Sequence, residues 1–187
     1  MVIVPAFWIV SILGKTQEAL PRIDSQGNVE HTLYMTLSEL LKPHHVIARI
    51  PCDSKDELIS KLLETLYHND DCLPFPKKEI LDNIQKREQI GGTLLPSGLS
   101  VPHARLRGFE EFVLALATPR EPITHGRYKI RLMSLMISSQ SGGIYYLPTL
   151  AALTRISREE AVFSRLCLAD NAENLIDILK ERDVELV

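Results

Sequence analysis

The chain of 187 residues is long enough for one domain with a substantial core, 45% of its residues being hydrophobic, and too short for a second full domain. A formal net charge of −3 leaves no excess of Lys and Arg to follow a phosphate backbone, so nucleic acid is not expected as a partner. Three widely spaced cysteines, Cys52, Cys72 and Cys167, form neither a disulfide framework nor a Cys-x-x-Cys metal knuckle, which fits a reducing, cytoplasmic setting.

Residues 1–34 read as an apolar N-terminal segment followed by a linker, and residues 35–187 as the domain. Met1 to Leu13 is almost wholly apolar, yet shorter than the roughly 20 residues a spanning helix needs. It lacks the charged start and Ala-x-Ala site of a signal peptide. It reads as a segment that packs on the domain or a partner, and would suit a homodimer surface. A mis-assigned start or the remnant of a membrane segment are the alternatives. Pro21 and the turn signal Gln26-Gly27-Asn28 mark residues 14–34 as linker.

Beyond the linker, Leu37, Leu40 and Leu41 predict a short helix stopped by Pro43, and Val46 to Ile50 a strand. Ser54 to Glu57 is a capping box, behind which Leu58, Ile59, Leu62, Leu63 and Leu66 form one apolar stripe. Past Pro74 and Pro76, Lys77 to Glu88 predicts a second helix with Ile80, Leu81 and Ile84 inward. Phe112 to Ala117 and Ile130 to Ile137 carry so little charge that they read as central strands covered on both faces. The last third is helical: Leu147 to Ile156, then two further starts capped by Ser157 with Glu160 and by Asp170 with Glu173. The expected fold is α/β, a single-domain layered sandwich with a mixed central β-sheet flanked by helices on both faces.

Chemistry concentrates in the Gly- and Pro-containing stretch from Arg87 to Arg105. Pro102 fixes its own φ and biases Val101 toward extended backbone, so His103 leaves a strand end in a restricted direction. A neutral imidazole can attack a phosphoryl group, and the product needs cationic and hydroxyl donors. Arg87 and Arg105 offer the guanidinium fork, Thr93 a hydroxyl, and the amides near Gly91, Gly92 and Gly98 further donors. On residue types alone, a lone Pro-His is more often a surface turn than a reactive centre. His44-His45 are adjacent in a loop with no carboxylate or cysteine cluster nearby, so no metal is expected. His31 and His68 read as solvent-facing.

The stretch from Arg87 to Ala104 resembles the signature of the fructose, mannitol and nitrogen-regulatory class of enzyme IIA domains of the bacterial phosphotransferase system. Its Arg-Glu pair closes a helix at Arg87-Glu88, its Ser/Thr falls on Thr93, its second glycine on Gly98, and its Pro-His on Pro102-His103. The likeness runs from about Thr36 to Arg182. It implies that His103 is the phosphoryl acceptor with Arg87 and Thr93 in catalytic roles; by their own chemistry Arg105, Gly98 and Tyr146 are expected to bind phosphate, with no cofactor. It also implies a histidine phosphocarrier protein as donor, and a IIB domain or a regulated target protein as the downstream partner. Pro96 and Ser100 depart mildly from the pattern. Tyr146 departs further, standing where family members commonly have a second histidine; it can donate one hydrogen bond but carries no charge. His125, between the two predicted central strands, is a candidate spatial substitute. With no IIB signature in the chain, the nitrogen-regulatory branch is the nearest likeness, and an unphosphorylated interaction module on the same fold is the alternative.

Overall fold

The computed structural model describes residues 22–23, 29–30, 35–69, 73–141, 143–182 and 185–186. The chain divides into two units, 1–34 and 35–187. In the first, β1 (Arg22–Ile23) pairs antiparallel with β2 (Val29–Glu30), so part of the expected linker is a short ribbon. The apolar run Met1 to Leu13, the turn signal at 26–28, His31 and Cys72 lie outside the described residues.

The second unit begins with β3 (Met35–Thr36), a 3-10 turn at Pro43–His45 and β4 (Val46–Ile50). No helix forms over Leu37 to Leu41, contrary to expectation. Glu39 turns back to accept the Thr36 amide at 2.7 Å, and Pro43 follows so soon that a helix nucleus has no room to propagate. Next come α1 (Lys55–Asn69) and α2 (Lys77–Ile90). Ser54 Oγ caps α1 by accepting the Glu57 amide at 3.2 Å, while Glu57 accepts from Asp53, one residue before the serine a capping box would use.

The sheet strands follow: β5 (Leu99–Ser100), β6 (His103–Leu106), β7 (Val113–Pro119), the hairpin β8 (Ile123–His125) with β9 (Tyr128–Ile130), and β10 (Leu132–Ser139). The main sheet runs β4-β7-β10 and then β5 and β6, with β7 antiparallel to β10 and the remaining neighbours parallel. It is the mixed sheet expected. Every residue of β7 and β10 is buried.

The helices α3 (Tyr146–Arg158), α4 (Glu160–Leu168) and α5 (Ala172–Arg182) complete the layers, and β11 (Glu185–Leu186) pairs with β3. Strand alternation sorts the core in two. Leu114, Leu116, Leu132 and Met136 pack toward α3, α4 and α5; Val113, Ala115, Ala117, Met133, Leu135 and Ile137 pack toward α1 and α2. Burial of each large side chain contributes about 1.5–3 kcal/mol. Two predicted caps are corrected. Ser157 lies inside α3, where its hydroxyl donates to the Thr154 carbonyl at 2.9 Å, because that helix runs on to Arg158. Asn171, not Asp170, caps α5 by accepting the Asn174 amide at 2.8 Å.

Candidate functional site

β5 and β6 are one strand interrupted by a proline. Leu99 pairs with Leu132, Ser100 with Met133 and His103 with Met136, a constant register that spans Val101-Pro102. Pro102 has no amide to give the ladder, but its carbonyl accepts the Met136 amide at 3.1 Å and carries the register across the gap. His103 therefore starts β6 at a fixed height on the sheet. Arg105, two residues on, shares its face.

The imidazole is 8% exposed and held at both nitrogens. Nδ1 lies 3.2 Å from the Val101 carbonyl oxygen. A carbonyl only accepts, so Nδ1 carries the proton and Nε2 the lone pair. Nε2 in turn accepts from Arg87 Nε–H at 3.2 Å, and Arg87 Nη1 donates to the Gly91 carbonyl at 2.7 Å. That second bond pins the guanidinium where α2 ends. Burial is the main force that pushes the His103 pKa below the ordinary imidazole value. The Val101 bond opposes that shift, Arg87 and Arg105 reinforce it, and Glu88 opposes it.

Tyr146 opens α3 beside this ring. The two ring centroids are 5.4 Å apart at an interplanar angle of 62°, and the Arg105 guanidinium lies 4.4 Å from the Tyr146 ring centre. Together Asn83, Lys86, Arg87, Ile90, His103, Arg105 and Tyr146 line a cavity of about 400 Å³. Three cations and no carboxylate stand in that lining, which suits a small dianion approaching Nε2.

His103, Arg87, Arg105 and Tyr146 are thus brought together. Thr93 and Gly98 are not among the lining residues. The Thr93 hydroxyl donates to Glu88, whose other oxygen pairs with Lys55. Gly98, expected to bind phosphate, instead permits a close crossing. At φ +94° its absent Cβ would stand 2.8 Å from the Lys129 carbonyl and 2.8 Å from the Arg131 side chain, and its amide donates to Leu95. His125 is corrected as well: it is exposed on the β8–β9 hairpin, which precedes β10 at the strand end away from Met136 and His103. His44 and His45 diverge, His44 exposed and His45 buried with Nδ1 3.2 Å from the Leu114 carbonyl. Among the described residues no three His, Cys, Asp or Glu side chains gather as a metal site, and no helix is long and apolar enough to cross a membrane.

Asn83, Lys86 and Ile90 were not anticipated. With Arg87 they recur at i, i+3, i+4 and i+7 of α2, so helical period read outward from Arg87 would have found them.

Comparison with known proteins bears on this geometry. Residues 39–182 match the family model described as "Phosphoenolpyruvate-dependent sugar phosphotransferase system, EIIA 2". A nitrogen regulatory protein of Bradyrhizobium diazoefficiens is 22% identical over 152 residues, covering 78% of this chain and 95% of its own length. The 2-O-alpha-mannosyl-D-glycerate-specific EIIABC component of Escherichia coli is 27% identical over 110 residues. That match takes in 56% of this chain but only 17% of the much longer EIIABC protein. The crystal structure of the nitrogen regulatory protein IIA-Ntr from Neisseria meningitidis superposes with a TM-score of 0.63 at 20% identity, covering 76% of this chain and 98% of that one, and so shares its fold. With a family model spanning most of the domain, the chain belongs to the EIIA 2 family of the phosphoenolpyruvate-dependent sugar phosphotransferase system.

Proposed function

We propose that His103 accepts a phosphoryl group on Nε2 from the histidine phosphocarrier protein, and that the phosphorylated domain acts by binding other proteins. The observation that carries this reading is the pair of bonds on one ring: Val101 holds the proton at Nδ1, and Nε2 faces a cation-lined cavity. The Nε2 lone pair attacks phosphorus as the nitrogen–phosphorus bond of the donor phosphohistidine breaks. The donor ring, protonated on its other nitrogen, leaves as neutral imidazole, and His103 keeps its Nδ1 proton throughout. Catalysis is then positioning and charge stabilisation. Arg87 passes its N–H from Nε2 to the arriving oxygens, with Lys86 and Arg105 adding positive charge and the Tyr146 hydroxyl one hydrogen bond.

Two features favour signalling over sugar uptake. Tyr146 brings no charge to help discharge the phosphohistidine onward, and the nitrogen regulatory relative aligns over nearly all of its length. The donor system implies a cytoplasmic location; a IIB domain is the downstream partner in the sugar-transport variant of this reading. Incubation with labelled phosphoenolpyruvate and the two general proteins of the system tests the proposal. Wild type takes label and His103→Gln takes none; an unlabelled wild type or a fully labelled His103→Gln overturns it.

A further inference from the structure

Lys55 sits where a lysine is costly. It is 5% exposed on the first turn of α1, and its ammonium bonds one oxygen of Glu88 near the end of α2. The other Glu88 oxygen accepts the Thr93 hydroxyl, so both are occupied. Charges this deep are tolerated only as pairs, and removal of one partner leaves the other uncompensated. The location gives the pair its interest. Glu88 directly follows Arg87, whose guanidinium holds His103 Nε2. A carboxylate with free oxygens there would compete for Arg87 and set a negative charge beside the cavity meant for an anion.

We propose that Lys55 is a positioning residue for phosphoryl acceptance: with Thr93 it fastens the Glu88 carboxylate, keeping Arg87 on Nε2 and the cavity clear of negative charge. The inference rests on the reading that His103 is the acceptor. It gives Thr93 a role through Glu88 rather than through direct contact with phosphate. The charged and titratable groups around the imidazole are Lys86, Arg87 and Glu88 from α2, Arg105 from β6 and Tyr146 from α3. Burial dominates the depression of the His103 pKa; among the charges Arg87 and Arg105 add to it, and Glu88 pushes the other way. Loosening Glu88 strengthens that opposing push.

The test compares Lys55→Met, Lys55→Arg, Thr93→Val and the double variant Lys55→Met/Glu88→Gln in the full chain. One readout is the NMR titration midpoint of unphosphorylated His103, which needs no phosphoryl donor; the other is the initial rate of labelling. Lys55→Met raises the midpoint and slows labelling roughly tenfold, the scale of one charge-assisted hydrogen bond. Lys55→Arg and the double variant return both readouts toward wild type, which a merely structural lysine would not do. Thr93→Val, which keeps the buried pair, moves both in the same direction by less. An unmoved midpoint and rate in folded Lys55→Met, or in Thr93→Val should Lys55→Met not fold, overturns the proposal, as does a double variant no better than Lys55→Met. A wild type that takes no label fails the functional reading instead, and the titration midpoints still report on the clamp.

Discussion

His45 and His103 make a natural experiment within one chain. Both imidazoles are buried, at 2% and 8% exposure, and both have Nδ1 3.2 Å from a backbone carbonyl, Leu114 for His45 and Val101 for His103. Burial and a fixed Nδ1 are common to both rings. His45 meets the edge of the His44 ring, with centroids 4.6 Å apart, at the turn that leads into β4. His103 turns its second nitrogen toward Arg87 and a cavity that also holds Lys86 and Arg105. What the structure adds at His103 is a guanidinium on the second nitrogen and a cavity lined by cations.

The contrast breaks most sharply by exchange of the two histidines for glutamine. His103→Gln loses phosphoryl acceptance altogether, whereas His45→Gln retains it and instead lowers the free energy of unfolding by about 1–3 kcal/mol, read by urea titration. Loss of label in a folded His45→Gln would remove the distinction. Arg87→Ala comes next. It deletes the donor on Nε2 and one of three cavity cations, and slows labelling roughly 10- to 100-fold, about 1.5–3 kcal/mol for a charge-assisted bond. Arg87→Lys recovers only part, because a single ammonium cannot hold both Nε2 and the Gly91 carbonyl as the guanidinium does.

The smallest effect is the dependence on pH. An ordinary imidazole is half protonated near pH 6.5, but folded His103 titrates below that value, chiefly because it is buried. Labelling on His103 stays level from pH 7.5 through about 6.5 and declines only at lower pH. Stability carries the same sign. As pH falls past about 6.5 the unfolded chain binds the proton first, so the His103 contribution to folding is lost progressively until the folded ring protonates too. A midpoint for labelling at or above 6.5 would place the ring in a more open setting than its burial implies.

Much of the frame was legible because periodicity and covalent constraint are local signals. The charge-poor runs became β7 and β10, the leucine stripe became α1, and Pro102-His103 stood where the strand breaks. Arg87, Arg105 and Tyr146 line one cavity with His103. What escaped was decided by the third dimension. Gly98 carries the glycine of a phosphate loop but answers a crowding by Lys129 and Arg131, over thirty positions away in the chain. Thr93 offered a hydroxyl that the fold directs to Glu88. Lys55 falls within the predicted cap Ser54 to Glu57, and only the packing of α1 against α2 makes it a buried partner of Glu88. His125, a candidate spatial substitute from the turn between the two central strands, lies on a hairpin that precedes β10.

Phosphoryl acceptance on Nε2 requires that the lone pair of His103 lie on that nitrogen, and NMR of the phosphorylated protein with labelled imidazole nitrogen reads the site directly. The expected result is phosphorus on Nε2, with Nδ1 still protonated and bonded to the Val101 carbonyl. Phosphorus on Nδ1, or on any residue other than His103, would contradict it.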